Sequence, residues 1–433
     1  MEITKEIFIN STIGSTRVAI LENKNLSDLH IERPNHKRMV GNIYKGKVQN
    51  VIPGMQAAFI DIGYNLNAFL PFTEIIDKNS VSDTSFDKQN SNDKGLPEKK
   101  VDFVNGDDLV VQVIKEPFSG KGPRITTNIS ISGNLLVLVP NQKYIGVSKK
   151  IHDKYERARL KQIIKSIKPK NFGVIVRTIS AGKDQKIIEK DLKKLISEWK
   201  EVENLIKTKN APHLIFNDEN ISNMVIRDLF TEDTKSLYID NKALYKKIYS
   251  YTKDTNPNQL SSIKLYKSRI PIFDTHNVEE QISKSLSNKA WLKSGSYLII
   301  DHTEAMVVVD VNSGRFIGKG KHEDNSLKIN MEAAVEIARQ LRIRDIGGLV
   351  VIDFIDLMKA ANRKKVYEEL KKHLKRDRAK VSVSEFSDFG LLQMTRQRVG
   401  LSLLFTLTDE CGECKGLGRI DSKDSTLTKI ENW

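Results

Sequence analysis

The chain has 433 residues, a length for about two to four domains, and 39% hydrophobic against 29% charged residues, so most of it should be globular. Lys and Arg number 70 against 55 Asp and Glu, and the net charge of +15 favours a polyanionic partner, either nucleic acid or an anionic membrane surface. Two cysteines exclude a secreted disulfide scaffold, no apolar run reaches the roughly 18 residues of a membrane span, and MEITKEIFIN lacks the plan of a signal peptide, so a cytoplasmic location is expected.

In chain order, residues 1–37 read as short strands: EIFIN, TRVAILEN and LHIERP. GNIYKGKVQNVIPGMQAAFIDIGYNLNAFLPFTEI then alternates short β-rich runs with Gly, Pro and Asn turns, which predicts a small barrel. Residues 77–100 are polar and rich in Ser, Asn and Asp, a loop that interrupts the barrel, because DLVVQVIKE and RITTNISISG resume the strands. From about 134 to 221, NLLVLVP and FGVIVRTIS are strands, Lys154–Ile167 is a basic helix and KIIEKDLKKLISEWKEVENLIKT is a long amphipathic helix. Residues 222–286 carry helical patterns and an NPNQ turn without a clear boundary.

The region from 287 to 408 is the most regular. SYLIID and EAMVVVDVNSG form an antiparallel pair, and MEAAVEIARQLRIRD is a helix with Met331, Ala334, Val335, Ala338 and Leu341 on one face. GGLVVIDFID is apolar enough for a strand buried on both faces. RKKVYEELKKHLKRDRAK is a basic helix with Val366, Leu370 and Leu374 inward, VSVSEF is a further strand, and the chain ends in a tail.

The strand–helix–strand order from Val307 to Asp353 has the form of a βαβ crossover, so its strands should be parallel and end at one sheet edge. Asp310 and Asp353 end those strands, at the edge where open α/β sheets bind ligands. Two carboxylates there repel unless a proton or cation lies between them, and beside a polyanion the natural cation is Mg²⁺, which takes one or two carboxylates and keeps several waters. Such an ion activates water and stabilises charge on a phosphodiester. Asn312, on the following turn, is placed to orient a phosphate, whereas Asp356 and Glu304 are weaker candidates. The bland alternative is that the two aspartates only cap strands or helices.

In QAAFIDIG and NAFLP the alternation puts Ala58, Ile60, Ile62, Ala68 and Leu70 on one face and Phe59, Asp61, Asn67 and Phe69 on the solvent face, with Lys45 and Lys47 of IYKGKV in the same phase. Exposed aromatics beside lysines suit single-stranded nucleic acid, whose bases stack while its phosphates pair. A second small core covering the rings is the alternative. CGECKGLG carries Cys411 and Cys414 as a CxxC followed by glycines, as in one knuckle of a zinc ribbon, but a structural Zn²⁺ site wants four ligands. A redox pair, a decayed zinc ribbon and a site shared between two chains all remain open on composition.

With these parts in order the chain closely resembles the ribonuclease E/G family, and its G branch more than its E branch. GNIYKGKVQNVIPGMQAAFIDIG, NAFLP, GVIVRT, IKLY, VVVDVNSG, EIARQLRIRDIGGLVVIDFIDL, FGLLQMTRQR and CGECKGLG carry the resemblance over nearly the whole chain. It implies a multidomain α/β protein. Its parts would be an RNase H-like scaffold from 1–37 and 222–286, an OB-fold RNA-binding barrel over 38–128, and a 5′-monophosphate sensor region over 129–221. A DNase I-like catalytic domain would span 287–408, a zinc link 409–418 and a tail 419–433.

By the same resemblance Asp310 and Asp353 bind catalytic Mg²⁺ with Asn312 as their phosphate-positioning partner. Phe59, Phe69 and Lys121 contact RNA, and Arg177, Thr178, Gly133, Val137 and Lys149 form the 5′-phosphate pocket. Cys411 and Cys414 share one Zn²⁺ with a second protomer. Lys149 and Lys150 stand where the E branch usually has an arginine pair, and Lys380 replaces another arginine, so a sensor contact should be looser. The chain stops 19 residues after Cys414, short of the family's small C-terminal domain, so a homodimer is expected and a tetramer is not.

The expected activity is Mg²⁺-dependent endonucleolytic cleavage of single-stranded A/U-rich RNA in rRNA maturation and mRNA turnover. It would leave 5′-phosphate and 3′-hydroxyl ends and prefer substrates already 5′-monophosphorylated. The rival is a non-catalytic RNA-binding factor on the same fold, against which both aspartates and Asn312 argue. A DNase leaves the VIVRT motif unexplained, and a peripheral membrane role finds no specific motif.

Overall fold

The computed structural model describes residues 4–33, 39–75, 102–117, 120–218, 224–231, 233–315, 322–397 and 401–414, with scattered positions after them. The 77–100 loop lies outside the described residues, as does most of the 419–433 tail. The protein is a mixed α/β molecule that divides into two compact units, residues 1–282 and 283–433. No helix among the described residues is long and apolar enough to cross a membrane.

Among the described residues the first unit contains three sheets. Strands Lys5–Ser11, Thr16–Glu22 and Asn25–Glu32 form a meander, and Thr234–Ile239 joins it parallel to Lys5–Ser11, followed by Ile263–Leu265. Ile7, Ile9, Val18, Leu237 and Ile239 bury the inner face of this sheet beneath helix Lys242–Thr255.

The second sheet is a closed five-stranded barrel of OB-like form. Ile43–Ile52 pairs with both Ala57–Asp61 and Asp108–Lys115, and Ala68–Pro71 and Arg124–Thr126 complete the ring. The alternation predicted for it holds: Ala58, Ile60, Ile62, Ala68 and Leu70 fill the interior with Val48, Val111, Val113 and Ile125, while Phe59, Asp61 and Phe69 are half-buried outside. Closure brings backbones close together. A Cβ on Gly122 would stand 1.9 Å from the Asn67 carbonyl oxygen, so only glycine fits there.

The third sheet, Ile131–Ser132, Leu136–Pro140, Phe172–Val176 and Ile145–Val147, is packed by helices Lys154–Ile167 and Gln185–Thr208. Leu160, Ile164, Ile188, Leu192, Leu195 and Trp199 bury one stripe of those helices against Leu136, Leu138, Val174 and Val176.

The second unit is a two-layer sandwich. Its six strands run in the order Lys289–Trp291, Tyr297–His302, Met306–Asn312, Gly348–Asp353, Leu391–Arg396, Val381–Phe386. Helices His322–Ile343 and Ala360–Leu374 cover one face only. Leu298, Ile300, Val307, Val309, Val311, Val350, Ile352, Leu392 and Met394 meet Ile329, Ala333, Ile337, Leu341, Val366, Leu370 and Leu374 in a single core. Each such Val, Leu or Ile contributes about 1.5–3 kcal/mol by burial.

GGLVVIDFID is therefore not buried on both faces. Val350 and Ile352 are buried, Val351 is half-buried, and Leu349 and Asp353 are exposed. The sheet is mixed, its outer connections are hairpins that need no helix, and no described helix of this unit packs into a core on the other face. On helix His322–Ile343 the stripe passes through Ala334, Ala338 and Leu341 as expected, but Val335 is 38% exposed, a turn of about 100° away from Ala334. Asn330 and Ile337 lie in the stripe.

Candidate active site

Met306–Asn312 and Gly348–Asp353 lie side by side and parallel, and Asp310 stands directly opposite Asp353. The crossover through His322–Ile343 accounts for the parallel pairing, and equal phase puts both carboxylates on the open face, where both are exposed. Asn312 shares that face and donates from Nδ2 to Asp310 Oδ2 at 2.7 Å, which orients the carboxylate. Partial burial, then the charges of Asp310 and Asp356, hold the Asp353 carboxyl above the usual range. Glu304 sits in the hairpin turn at the far end of the Asp310 strand, away from this edge.

The loop after Asp353 is fastened at two points by one helix. Asn330, fully buried, donates to the Ile355 carbonyl at 2.6 Å and accepts from the Ile355 N–H at 3.1 Å. Glu323 accepts from the N–H groups of Met358 and Lys359, each at 3.1 Å, and from the Asn362 amide at 2.9 Å. It thereby caps helix Ala360–Leu374, whose own N-cap residue Lys359 makes no side-chain bond. The Asn362 bond, then the two backbone bonds, hold Glu323 below the usual carboxylate range. Beside this loop opens a cleft of about 540 Å³ lined by Phe354, Asp356, Met358, Arg363, Asp388 and Phe389. Neither Asn330 nor Glu323 was identified from the sequence, although a polar residue within the apolar stripe of a helix is a signal that marks Asn330.

The donor set fits a sparingly coordinated ion. Among the described residues no three His, Cys, Asp or Glu side chains gather as a metal cage. Two facing carboxylates are what Mg²⁺ takes while keeping its waters. Cys411 is exposed and Cys414 half-buried, both as free thiols. N–H groups of Cys414 and Glu413, then the Cys414 thiol, lower the Cys411 pKa, which favours the thiolate a soft metal binds. Two thiols are half of a tetrahedral set. His373 is paired with Glu369 at 2.9 Å.

On the barrel, Phe59 and Phe69 are direct cross-strand partners with ring centroids 5.8 Å apart, edge to face. Lys121 is exposed on the segment that Gly122 brings against Asn67. Lys47 is exposed, but Lys45 is drawn inward. Its Nζ donates to the Ile206 and Lys209 carbonyls at the end of helix Gln185–Thr208 and pairs with Asp108 at 3.3 Å. The physical reason is the cluster of free carbonyls at a helix C-terminus, which attracts a cation.

The third sheet gathers the sensor candidates at the end of Phe172–Val176. Arg177 donates from Nη1 to the Gly133 carbonyl at 2.9 Å and pairs through Nη2 with Asp228, a partner the sequence did not disclose. Thr178 Oγ1 and Ser148 Oγ are 2.9 Å apart, and exposed Lys149 follows Ser148. Asp191 accepts the N–H groups of Asn134, Leu135 and Leu136, and a Cβ on Gly133 would stand 2.7 Å from its Oδ2, so the 133–136 turn is locked. Val137 lies further into the sheet, opposite Ile175.

The chain is similar to known ribonucleases over nearly its whole length. A model of the "Ribonuclease E/G family" matches residues 130–399. Ribonuclease G of Escherichia coli (strain K12) is 36% identical over 427 residues, covering 99% of this chain and 86% of that protein. Ribonuclease G of Haemophilus influenzae is also 36% identical over 427 residues, 98% of this chain and 86% of that protein. Ribonuclease E of Escherichia coli (strain K12) is 36% identical over 430 residues, which are 98% of this chain and 40% of that longer protein.

Proposed function

This chain belongs to the ribonuclease E/G family, and on that premise we propose that it is a Mg²⁺-dependent endoribonuclease acting on single-stranded, A/U-rich RNA in rRNA maturation and mRNA turnover. The observation that carries the reading is the register that sets Asp310 against Asp353, with Asn312 bonded to the first. In this assignment residues 287–408 are the DNase I-like catalytic domain, 38–128 the RNA-binding OB barrel, and 129–221 the 5′-monophosphate sensor. Residues 1–37 and 222–286 are the RNase H-like scaffold.

The reaction is attack of water on a phosphodiester, with the 3′ oxygen leaving as a hydroxyl and the 5′ side keeping the phosphate. Asp310 and Asp353 would hold Mg²⁺, which when bound supplies a water of lowered pKa and neutralises charge on the phosphate. Asn312 fixes the Asp310 carboxylate through one Nδ2 hydrogen and can offer the other to position the phosphate. Asn330 and Glu323 keep the loop behind Asp353 from moving, so the carboxylates keep their spacing during the reaction. Phe59, Phe69, Lys47 and Lys121 bind the strand by stacking and charge. Arg177, Thr178 and Lys149 offer a guanidinium fork, a hydroxyl and an ammonium to a terminal phosphate, which would compete with Asp228 for the guanidinium. Cys411 and Cys414 would complete a Zn²⁺ site with the same pair of a second copy, giving a homodimer.

Asp310→Asn and Asp353→Asn should each lower Mg²⁺-dependent cleavage of a short single-stranded RNA at least about a thousand-fold while leaving its binding intact. Ordinary cleavage by both variants would refute the assignment.

A further inference from the structure

The open face of the second unit's sheet carries a cluster that the mechanism above does not use. Lys289–Trp291 pairs antiparallel with Tyr297–His302, which pairs antiparallel with the Asp310 strand. The register sets Trp291, Tyr297 and Asn312 in one cross-strand row, and Lys289, Ile299, Asp310 and Asp353 in another. Directly opposed residues share a face, and so do residues two apart along a strand. Lys289, Trp291 and Tyr297 are therefore on the same face as the candidate catalytic groups. Two strand spacings, about 10 Å of backbone, separate Trp291 from Asn312.

The cluster is built as a surface. Trp291 is 56% exposed, whereas its strand neighbours Ala290 and Leu292, on the opposite face, are buried. The Trp291 and Tyr297 ring centroids are 5.2 Å apart at 60°. Lys289 Nζ stands 4.2 Å from the Trp291 centroid and 3.6 Å from that of Tyr297. A large aromatic held in place by a cation yet left open to water gains little for folding from its outer half. Its chemistry suits a base, which stacks on any aromatic face, with the ammonium beside it for a phosphate.

We infer that Lys289, Trp291 and Tyr297 form a stacking platform for the nucleotide next to the scissile phosphate or the one after it, on the Asn312 side of the site. The inference rests on the reading that Asp310 and Asp353 cleave single-stranded RNA. The platform positions substrate and does not touch the reacting atoms. A surface read by stacking accepts all four bases, so it adds hold and register rather than sequence preference. The strand Lys289–Trp291 is the edge of this sheet.

Two measurements test this. In the Asp310→Asn chain, titration with a short single-stranded RNA should quench tryptophan emission, and adding Trp291→Ala should remove that quenching. Of the other two tryptophans, Trp199 is buried and Trp433 is shared by both chains, so the difference reports on Trp291. With Asp310 intact, Trp291→Ala should raise KM about ten-fold with kcat nearly unchanged, Trp291→Tyr should restore most of it, and Lys289→Ala should raise KM and weaken its salt dependence. Unchanged KM and unchanged quenching in Trp291→Ala overturn the platform and leave the cleavage reading standing. Full cleavage by both Asp310→Asn and Asp353→Asn overturns the cleavage reading itself. A change in sedimentation without a change in RNA affinity overturns the platform and makes this face a contact between copies of the chain.

Discussion

Asp353 holds its proton more tightly than an ordinary aspartate because its carboxylate is partly buried and faces the charges of Asp310 and Asp356. On the proposed function, metal and proton would therefore compete for one group. Cleavage should fall on the acid side with a midpoint above the usual aspartate value of about 4, and raising Mg²⁺ should move that midpoint down. A pH–rate profile at two Mg²⁺ concentrations checks this, and superimposable profiles would contradict it. The stability sign follows from the raised folded-state pKa. The penalty is complete above that pKa and gone below the unfolded value, so metal-free Asp353→Asn should melt slightly higher than the parent at neutral pH. At this scale the sequence disclosed Asp310, Asp353 and Asn312, because strand ends can be read from local pattern. It did not disclose the cross-strand neighbours Trp291 and Tyr297, because only a drawn hairpin places WLKSGSY's two rings opposite each other.

Helix His322–Ile343 does more than cross from one strand to the next. Through Asn330 and Glu323 it sets the loop that follows Asp353. Asn330→Ala removes two hydrogen bonds and leaves both Ile355 backbone groups without that partner, so it should cost about 1–3 kcal/mol of stability. It should also lower kcat more than the loss of folded protein explains, which thermal melts and kinetics on the same preparation will separate. A drop in kcat no larger than the unfolded fraction would reduce Asn330 to a packing residue. The helix's apolar positions were legible at Ala334, Ala338 and Leu341, while Val335 was misplaced by one step of the helical wheel. The apolar run GGLVVIDFID misled for a different reason. Val and Leu on an open sheet face look the same in sequence as Val and Leu in a core.

At the scale of the molecule, local order was easier to read than long-range pairing. The barrel and the βαβ unit follow from spacing along short stretches, whereas Lys5–Ser11 pairs with Thr234–Ile239 across more than two hundred residues, which no local pattern encodes. Only the resemblance to a family assigns the segments 1–37 and 222–286 to one scaffold. If Cys411 and Cys414 share their ion, purified protein should carry one Zn²⁺ per two chains. Strong chelation, or Cys411→Ser, should then halve the mass seen by light scattering. One Zn²⁺ per chain would exclude sharing.

The sheet with one covered face has a consequence for descent. Along residues 348–353, alternate positions answer to different judges, one phase to the volume of the core and the other to whatever lies on the open side. On the proposed function, the residues that hold the scaffold and those that meet the substrate would be interleaved along the same strand. A lineage can exchange what it handles on the open side while every covered neighbour stays as it was.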